Sequence, residues 1–246
     1  MNKGKWEILS NEAIAERVYR MRLRGETEGI RPGQFVEIAV PECYLRRPIS
    51  VCDIEGDTMT LIYKVVGKGT AIMAQMHAGE DLDILTCLGK GYDLTKASDE
   101  ALLVGGGVGV PPLVFAAKEL RRMGKHVRVV MGFNSRSEVF AEEDFKALGC
   151  QVEVCTMDGS YGTKGVVTDL LGSHEPFYYA CGPLPMLKAL IGKAGTQGEV
   201  SMEERMGCGV GICVGCSIET TNGIKRVCKE GPVFNADALI IENKQR

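Results

Sequence analysis

Ala101-Leu-Leu-Val-Gly-Gly-Gly-Val-Gly-Val-Pro-Pro112 is the stretch on which the reading of the fold turns. Ala101–Val104 is an apolar run of strand length, Gly105–Gly109 a tight loop, and Pro111-Pro112 the first turn of a helix, where a missing N–H does no harm. A glycine loop between a buried strand and a helix presents backbone N–H groups and a positive helix end to a phosphate. The loop departs from G-x-G-x-x-G because Val110 holds the last glycine position. The next strand ends in Met131-Gly-Phe-Asn134, without the acidic residue that meets a ribose. On these residues alone it is a nucleotide cradle or a plain tight turn.

Downstream, strands and helices alternate. Strands are expected at Val127–Met131, Gln151–Thr156 and Phe177–Cys181, and helices from Pro111 to about Met123, over Ala141–Leu148, near Val166–Leu171 and over Pro183–Ala194. That βαβ order implies a doubly wound parallel α/β sheet with helices on both faces. Upstream, Phe35–Val40, Met59–Val66 and Asp81–Leu85 read as short strands punctuated by Arg31-Pro-Gly33, Glu55-Gly-Asp57, Gly67-Lys-Gly69 and Ala78-Gly79, which suggests an antiparallel barrel or sandwich. The expected units are residues 1–98, 99–200 and 201–246.

The last unit holds Cys208, Cys213, Cys216 and Cys228 in the spacing C-x4-C-x2-C-x11-C. This suits a plant-type [2Fe–2S] cluster, whose loop needs glycine for left-handed angles and close backbone approach. A structural zinc site more often uses two close cysteine pairs, and only one C-x2-C is present. Disulfides require an oxidising compartment, and Met1–Leu9 lacks a secretory apolar stretch. Asn222-Gly223 predicts a two-residue hairpin turn pairing Thr221 with Ile224 and Ser217 with Cys228, which returns Cys228 beside Cys216. A small cysteine module with a β-hairpin follows.

With 246 residues, 45% hydrophobic and 25% charged, the composition is that of an ordinary globular protein. No apolar run reaches membrane-span length. The net charge of −3 and scattered basic residues give no support for nucleic-acid binding. Lys118, Arg121, Arg122 and Lys125 read as a solvated helix face. The ten cysteines, with no leader, are expected to be reduced thiols in a cytoplasmic protein. Three single histidines fit surface or core roles. Ser135-Arg136 after the second strand could accommodate a 2′-phosphate. Arg46-Arg-Pro-Ile-Ser50 and Gly67-Lys-Gly-Thr70 offer a phosphate-pairing guanidinium and a Gly-Thr turn, each a weak signal alone.

Taken together, Arg47-Pro-Ile-Ser50, Ile62-Tyr-Lys64, Gly69-Thr70, the Gly105–Pro112 loop, Asp158-Gly-Ser160 with Gly165-Val-Val-Thr168, and Cys181-Gly-Pro183 resemble the motifs of the ferredoxin-reductase superfamily. The resemblance implies a flavin-binding barrel followed by a nicotinamide-nucleotide domain. It implies that Arg47 meets the pyrophosphate of one FAD and that Ser50 lies near the reactive flavin nitrogen. Pro48, Ile49, Ile62, Tyr63, Lys64, Gly69 and Thr70 are the implied remaining FAD contacts. Gly105, Gly106, Gly107, Val108, Gly109, Asp158, Gly182 and Pro183 are the implied nucleotide contacts, with Cys181 beside the nicotinamide. Ser50 and Cys181 are the catalytic candidates.

The run Glu204-Arg-Met-Gly-Cys-Gly-Val-Gly-Ile-Cys-Val-Gly-Cys216 is narrower. It is similar to the electron-transfer subunits of type B dihydroorotate dehydrogenases, over essentially the whole chain. That resemblance implies one FAD and one [2Fe–2S] cluster per chain, with Cys208, Cys213, Cys216 and Cys228 as cluster ligands. It implies an FMN-containing catalytic partner subunit in a two-plus-two heterotetramer, and electrons passing from dihydroorotate to NAD in pyrimidine biosynthesis. A flavin must lie between a hydride acceptor and a one-electron cluster. The rival expectations are a related flavin and iron–sulfur subunit, of ferredoxin–NADP transhydrogenase or sulfide dehydrogenase type, and a non-enzymatic metal-binding module on the same scaffold.

Overall fold

The computed structural model describes residues 1–240; residues 241–246, the end of the third expected unit, lie outside the described residues. The N-terminal third closes into a six-stranded antiparallel barrel of β1 (Asn2–Ala15), β2 (Val18–Arg24), β3 (Phe35–Ile38), β4 (Arg47–Glu55), β5 (Thr58–Lys64) and β6 (Asp81–Leu88), in the order β1-β2-β5-β4-β3-β6. A short helix, α1 (Lys68–Met73), crosses between β5 and β6. β1 makes closure possible because it is long enough to pair with two neighbours. Its first part meets β6 (Asn2↔Thr86 to Glu7↔Asp81) and its second part meets β2 (Glu7↔Arg24 to Ala15↔Val18). Along β6, Leu82, Ile84, Thr86 and Leu88 point inward and alternate with more exposed residues, the period-two pattern of a strand with one buried face. Trp6, 1% exposed, fills one end and leaves no room for a side chain at Gly25.

The second unit adds β7 (Glu100–Gly106), α2 (Pro111–Arg122), β8 (His126–Phe133), α3 (Glu142–Ala147), β9 (Gln151–Thr156), β10 (Thr163–Lys164), β11 (Tyr178–Cys181), α4 (Leu184–Ala194) and β12 (Gly198–Ser201). All of these strands run parallel. β7 is central and buried from Ala101 onward, as expected for a strand covered on both faces. The segment expected as a helix near Val166–Leu171 is a single 3₁₀ turn, Val167–Leu170. The cysteine segment carries the hairpin β13 (Ser217–Thr220) and β14 (Gly223–Arg226) and then β15 (Val233–Asn235). β15 pairs antiparallel with β12 and completes a seven-stranded sheet, β10-β9-β8-β7-β11-β12-β15.

Two further expectations change. The hairpin register is Thr220↔Gly223 and Ser217↔Arg226, not Thr221↔Ile224 and Ser217↔Cys228. A turn centred on Asn222-Gly223 needs positive φ at both residues, and only Gly223 (φ +86) has it. The Thr220 hydroxyl accepts from Asn222 N (3.2 Å) and donates to Gly223 O (2.6 Å), which centres the turn on Thr221-Asn222 and leaves Gly223 as the left-handed residue after it.

The basic face of α2 is also not simply solvated. Lys118 Nζ lies 2.9 Å from both Asp53 oxygens and 2.7 Å from Ile54 O, and Arg121 donates to Leu148 O and Lys125 O. α2 therefore joins the two units, and Phe115 enters the hydrophobic cluster of the barrel. Replacing it should be costly. Phe115→Ala is expected to lower unfolding stability by about 3–5 kcal/mol, read from urea melts; a loss under about 1 kcal/mol would mean that the barrel does not depend on α2.

Candidate functional site

The motif residues of the barrel converge on one cleft of about 380 Å3. β4 contributes Arg47, Pro48, Ile49 and Ser50, all half-buried, because the strand begins at the barrel rim before turning into the core at Val51. Ile62, Tyr63 and Lys64 come from the end of β5, and Thr70 comes from α1. Val108 reaches in from the glycine loop, and Ser201, Met202, Glu203 and Met206 enter from the approach to the cysteines.

Gly69 stands behind this wall. Any Cβ there would overlap the Arg47 guanidinium, so the glycine lets the cation lie across the first turn of α1. Arg47 Nη1 donates to Leu45 O at 2.6 Å. The Tyr63 hydroxyl donates to Asn11 Oδ1 (3.0 Å), and burial pushes its pKa well up, so it remains a neutral donor. Guanidinium, ammonium, hydroxyl and apolar walls together fit an anionic, ring-bearing group such as FAD.

A second cleft, about 350 Å3, opens at the C-terminal ends of β7, β8 and β11, where ligands of open α/β sheets bind. Gly106, Gly107 and Pro183 line it, together with Gly132, Asn134 and Glu138. Gly105, Gly109 and Gly182 do not line it and act by packing. At Gly109 a Cβ would overlap the Cys181 carbonyl, so this position lets the loop close onto β11. Asp158 is turned onto its own turn, accepting from Ser160 N (2.9 Å) and Ser160 Oγ (2.6 Å). Cys181 is buried at the end of β11, paired in register with Ser201 of the first cleft. Burial first, then the Glu203 carboxylate, pushes its thiol pKa well up, so it is a protonated packing group in this state.

The cysteines come as two pairs, Cys208 with Cys213 and Cys216 with Cys228. Among the described residues no three candidate ligands converge on a single metal-ion position. Two thiol pairs match the needs of a two-iron centre better than those of a lone ion. Cys208 Sγ accepts from Ile212 N (3.3 Å) and Cys213 N (3.4 Å), and Cys216 Sγ accepts from Cys228 N (3.4 Å). Partial burial opposes the Cys208 thiolate, but the N–H groups of Cys213, Val210 and Ile212 outweigh it and bring the pKa down to about 6. Burial and the neighbouring Cys216 raise Cys228 to about 12. The inner pair packs with Phe35, Leu88, Val227 and Phe234, while Cys213 is exposed between Ile212 and Val214. These thiols and N–H donors fit a [2Fe–2S] cluster.

Two residues escaped the sequence. Glu37, 2% exposed, lies beneath the cysteine loop with Oε1 lacking a donor. Its burial outweighs the opposing Arg46 and raises its pKa to about 7. Glu138, at the end of the 3₁₀ turn Arg136–Glu138, brings a carboxylate to the nucleotide cleft although the strand itself ends without one. No local pattern marks either, because the covering groups are remote in sequence.

Residues 203–240 match the family described as the iron-sulfur cluster binding domain of dihydroorotate dehydrogenase B. The chain is 43% identical to the dihydroorotate dehydrogenase B (NAD(+)) electron transfer subunit of Fusobacterium nucleatum, over 96% of this chain and 97% of that one. It is 42% identical to the same subunit of Bacillus caldolyticus, over 98% and 100% of the two chains. Among solved structures, a chain of the NADH-dependent reduced ferredoxin–NADP oxidoreductase superposes with a TM-score of 0.85 at 31% identity, covering 96% of this chain and 89% of that one. Phthalate dioxygenase reductase shares the fold, with a TM-score of 0.69 at 15% identity over 89% of this chain and 87% of that one.

Two glycines test the geometry separately. Gly69→Ala is expected to lower FAD retention at least about tenfold, read from absorbance after gel filtration, by displacing Arg47. Gly209→Ala places a Cβ on Glu37 at a left-handed position (φ +66) and should reduce iron and sulfide content while FAD stays bound. Equal loss of both groups from each variant would show general unfolding instead.

Proposed function

The chain belongs to the family of electron-transfer subunits of NAD(+)-linked dihydroorotate dehydrogenase B, and on that premise we propose a role for each part of the molecule. As a member, it is a flavin and iron–sulfur oxidoreductase subunit that works with a catalytic partner subunit, with NAD+ as the acceptor. We assign FAD to the barrel cleft, the nicotinamide nucleotide to the sheet cleft, and one [2Fe–2S] cluster to Cys208, Cys213, Cys216 and Cys228. The working units are residues 1–98, 99–200 and 201–246. FAD, when bound, supplies the exchange between two-electron and one-electron chemistry.

The protein's own side chains do the rest. Arg47 and Lys64 place positive charge on the wall of the FAD cleft. Ser50, half-buried on the same wall, offers a hydroxyl beside the cofactor, and Ser201, paired with Cys181, closes the far side. The glycine loop sends Val108 into one cleft while Gly106 and Gly107 form the floor of the other, so a nicotinamide can approach through a single thin partition. Cys181 supports that partition from behind.

The observation that carries this reading is the double lining of the FAD cleft. Barrel motif residues form one side, and Ser201–Met206, which runs directly into Cys208, forms the other. Flavin and cluster sites are therefore neighbours by construction. The exposed Cys213, flanked by Ile212 (81% exposed) and Val214 (60%), directs the outer thiol pair toward a partner. That partner is read as an FMN-bearing subunit that oxidises dihydroorotate, in a two-plus-two assembly in the cytoplasm. No helix among the described residues is long and apolar enough to cross a membrane.

The nucleotide cleft favours NAD over its 2′-phosphorylated form. The Arg136 guanidinium stacks over Tyr161, 5.4 Å from the ring centroid, and lines a separate hollow, whereas Glu138 faces the cleft.

Cys208→Ser, assembled with the catalytic partner, should abolish dihydroorotate-dependent NAD+ reduction by at least about 100-fold, because the cluster ligand set of four thiolates is broken. NADH oxidation by an artificial acceptor should persist within about twofold, since that route needs only the FAD and nucleotide clefts. Undiminished transfer from dihydroorotate to NAD+ in that variant would reject the assigned path.

A further inference from the structure

One ion pair spans the partition between the two clefts. Lys64, at the end of β5, lines the FAD cleft, and Glu138, at the end of the turn after β8, lines the nucleotide cleft. Their Nζ–Oε1 distance is 2.6 Å. Glu138 is the single charged side chain among the described residues of its cleft, whose other walls are glycine, proline and apolar groups with Asn134 and Thr168. A carboxylate offset only by an ammonium from the neighbouring cleft is a poor lining for a site that takes a dinucleotide, whose pyrophosphate carries two negative charges, because like charges in a partly enclosed cleft repel.

The two partners are not equally mobile. Glu138 is held by Asn134, whose Nδ2 donates to Oε2 at 2.7 Å. Its chain neighbour Ser137 is stitched to the barrel: Ser137 O accepts from Glu16 N (3.0 Å) and Ser137 Oγ donates to Glu16 Oε2 (2.9 Å). Lys64 has only a flexible four-carbon stem ending in a point charge. If the pair opens, the ammonium moves and the carboxylate stays.

We propose that the Lys64–Glu138 pair is a gate between the clefts: an entering dinucleotide draws the Lys64 ammonium from Glu138 onto its phosphates, and the pair re-forms when the dinucleotide leaves. The proposal rests on the reading that the sheet cleft takes NAD. The exchange is close to balanced, because Lys64, whose side chain is 29% exposed, trades one anionic partner for another instead of being left unpaired. It makes Glu138 a positioning residue that weakens nucleotide binding and favours release.

The test measures NAD+ and adenosine binding by calorimetry to the assembled, cofactor-loaded complex. In the unaltered protein one ion pair replaces another, so little net charge pairing is gained. In Glu138→Gln the same event gains a pair outright, and NAD+ should bind about three- to tenfold tighter at low salt, with the gain vanishing toward about 0.5 M salt. Adenosine, which carries no phosphate, should bind unchanged. Lys64→Met, reloaded with FAD and compared at equal FAD occupancy, should weaken NAD+ at least about fivefold and leave adenosine within about twofold, and unchanged NAD+ binding there would also overturn the gate. Unchanged or weaker NAD+ binding by Glu138→Gln would overturn the gate and leave the functional reading standing. Parallel loss of NAD+ and adenosine would do the same, by showing that Glu138 merely holds the wall. Failure of the unaltered complex to bind NAD+ would overturn both.

Discussion

The cysteine loop rests on β3 of the barrel with Gly209 directly over the Glu37 carboxyl group, at a separation that admits no side chain. The rest of the arrangement depends on this contact. Phe35, from the same strand, packs with Cys216, Cys228, Val227 and Phe234, so the inner thiol pair is buried against the wall that supports the FAD cleft. Once the loop is seated there, Ser201–Met206 has to cross the mouth of the cleft to reach Cys208. Under the proposed assignment, a cluster held by these thiols neighbours the barrel cleft because the packing leaves the thiols no other position.

Seating the loop requires that the chain leave the nucleotide sheet and come back. It leaves after β12 and returns as β15, which pairs antiparallel with β12. The cysteine segment is thus anchored at both ends to one edge of the sheet and on its inner face to the barrel. Polar linkages reinforce the joint: Lys96 Nζ bonds Glu199 Oε1 and Asn235 Oδ1, with Glu199 itself 1% exposed. Removing one partner of such a buried pair is more damaging than the pair is stabilising, because the remaining charge is left unpaired. α2 provides the corresponding joint between barrel and sheet through Phe115 and Lys118.

Much of this was legible from local pattern. The Gly105–Pro112 stretch marked the change from all-β to alternating β and α structure, and the expected strands at Val127–Met131, Gln151–Thr156 and Phe177–Cys181 lie within a residue or two of those found. The four cysteines announced their chemistry by spacing. Arg47–Ser50, Ile62–Lys64 and Thr70, singled out as motifs in separate parts of the barrel sequence, meet in one cleft. The hairpin register was not legible, because the choice between turns rested on a hydrogen bond from the Thr220 hydroxyl that competes with the usual preference of Asn-Gly. Lys118 looked solvated because Asp53, its partner, is remote in sequence and arrives from another unit.

The sequence by itself determined which chemistry is available: a four-thiol ligand set, a flavin motif, a glycine loop and a parallel sheet. These are encoded by residues near one another in the chain, where spacing and backbone preference suffice. Only the tertiary structure decided how those parts face one another. It placed Glu37 under the cluster loop, bridged two clefts through Lys64 and Glu138, and left Cys213 exposed while Cys216 and Cys228 were buried. Those outcomes depend on burial and on charge contacts between segments tens to hundreds of residues apart, whose energies do not exist until the segments have packed.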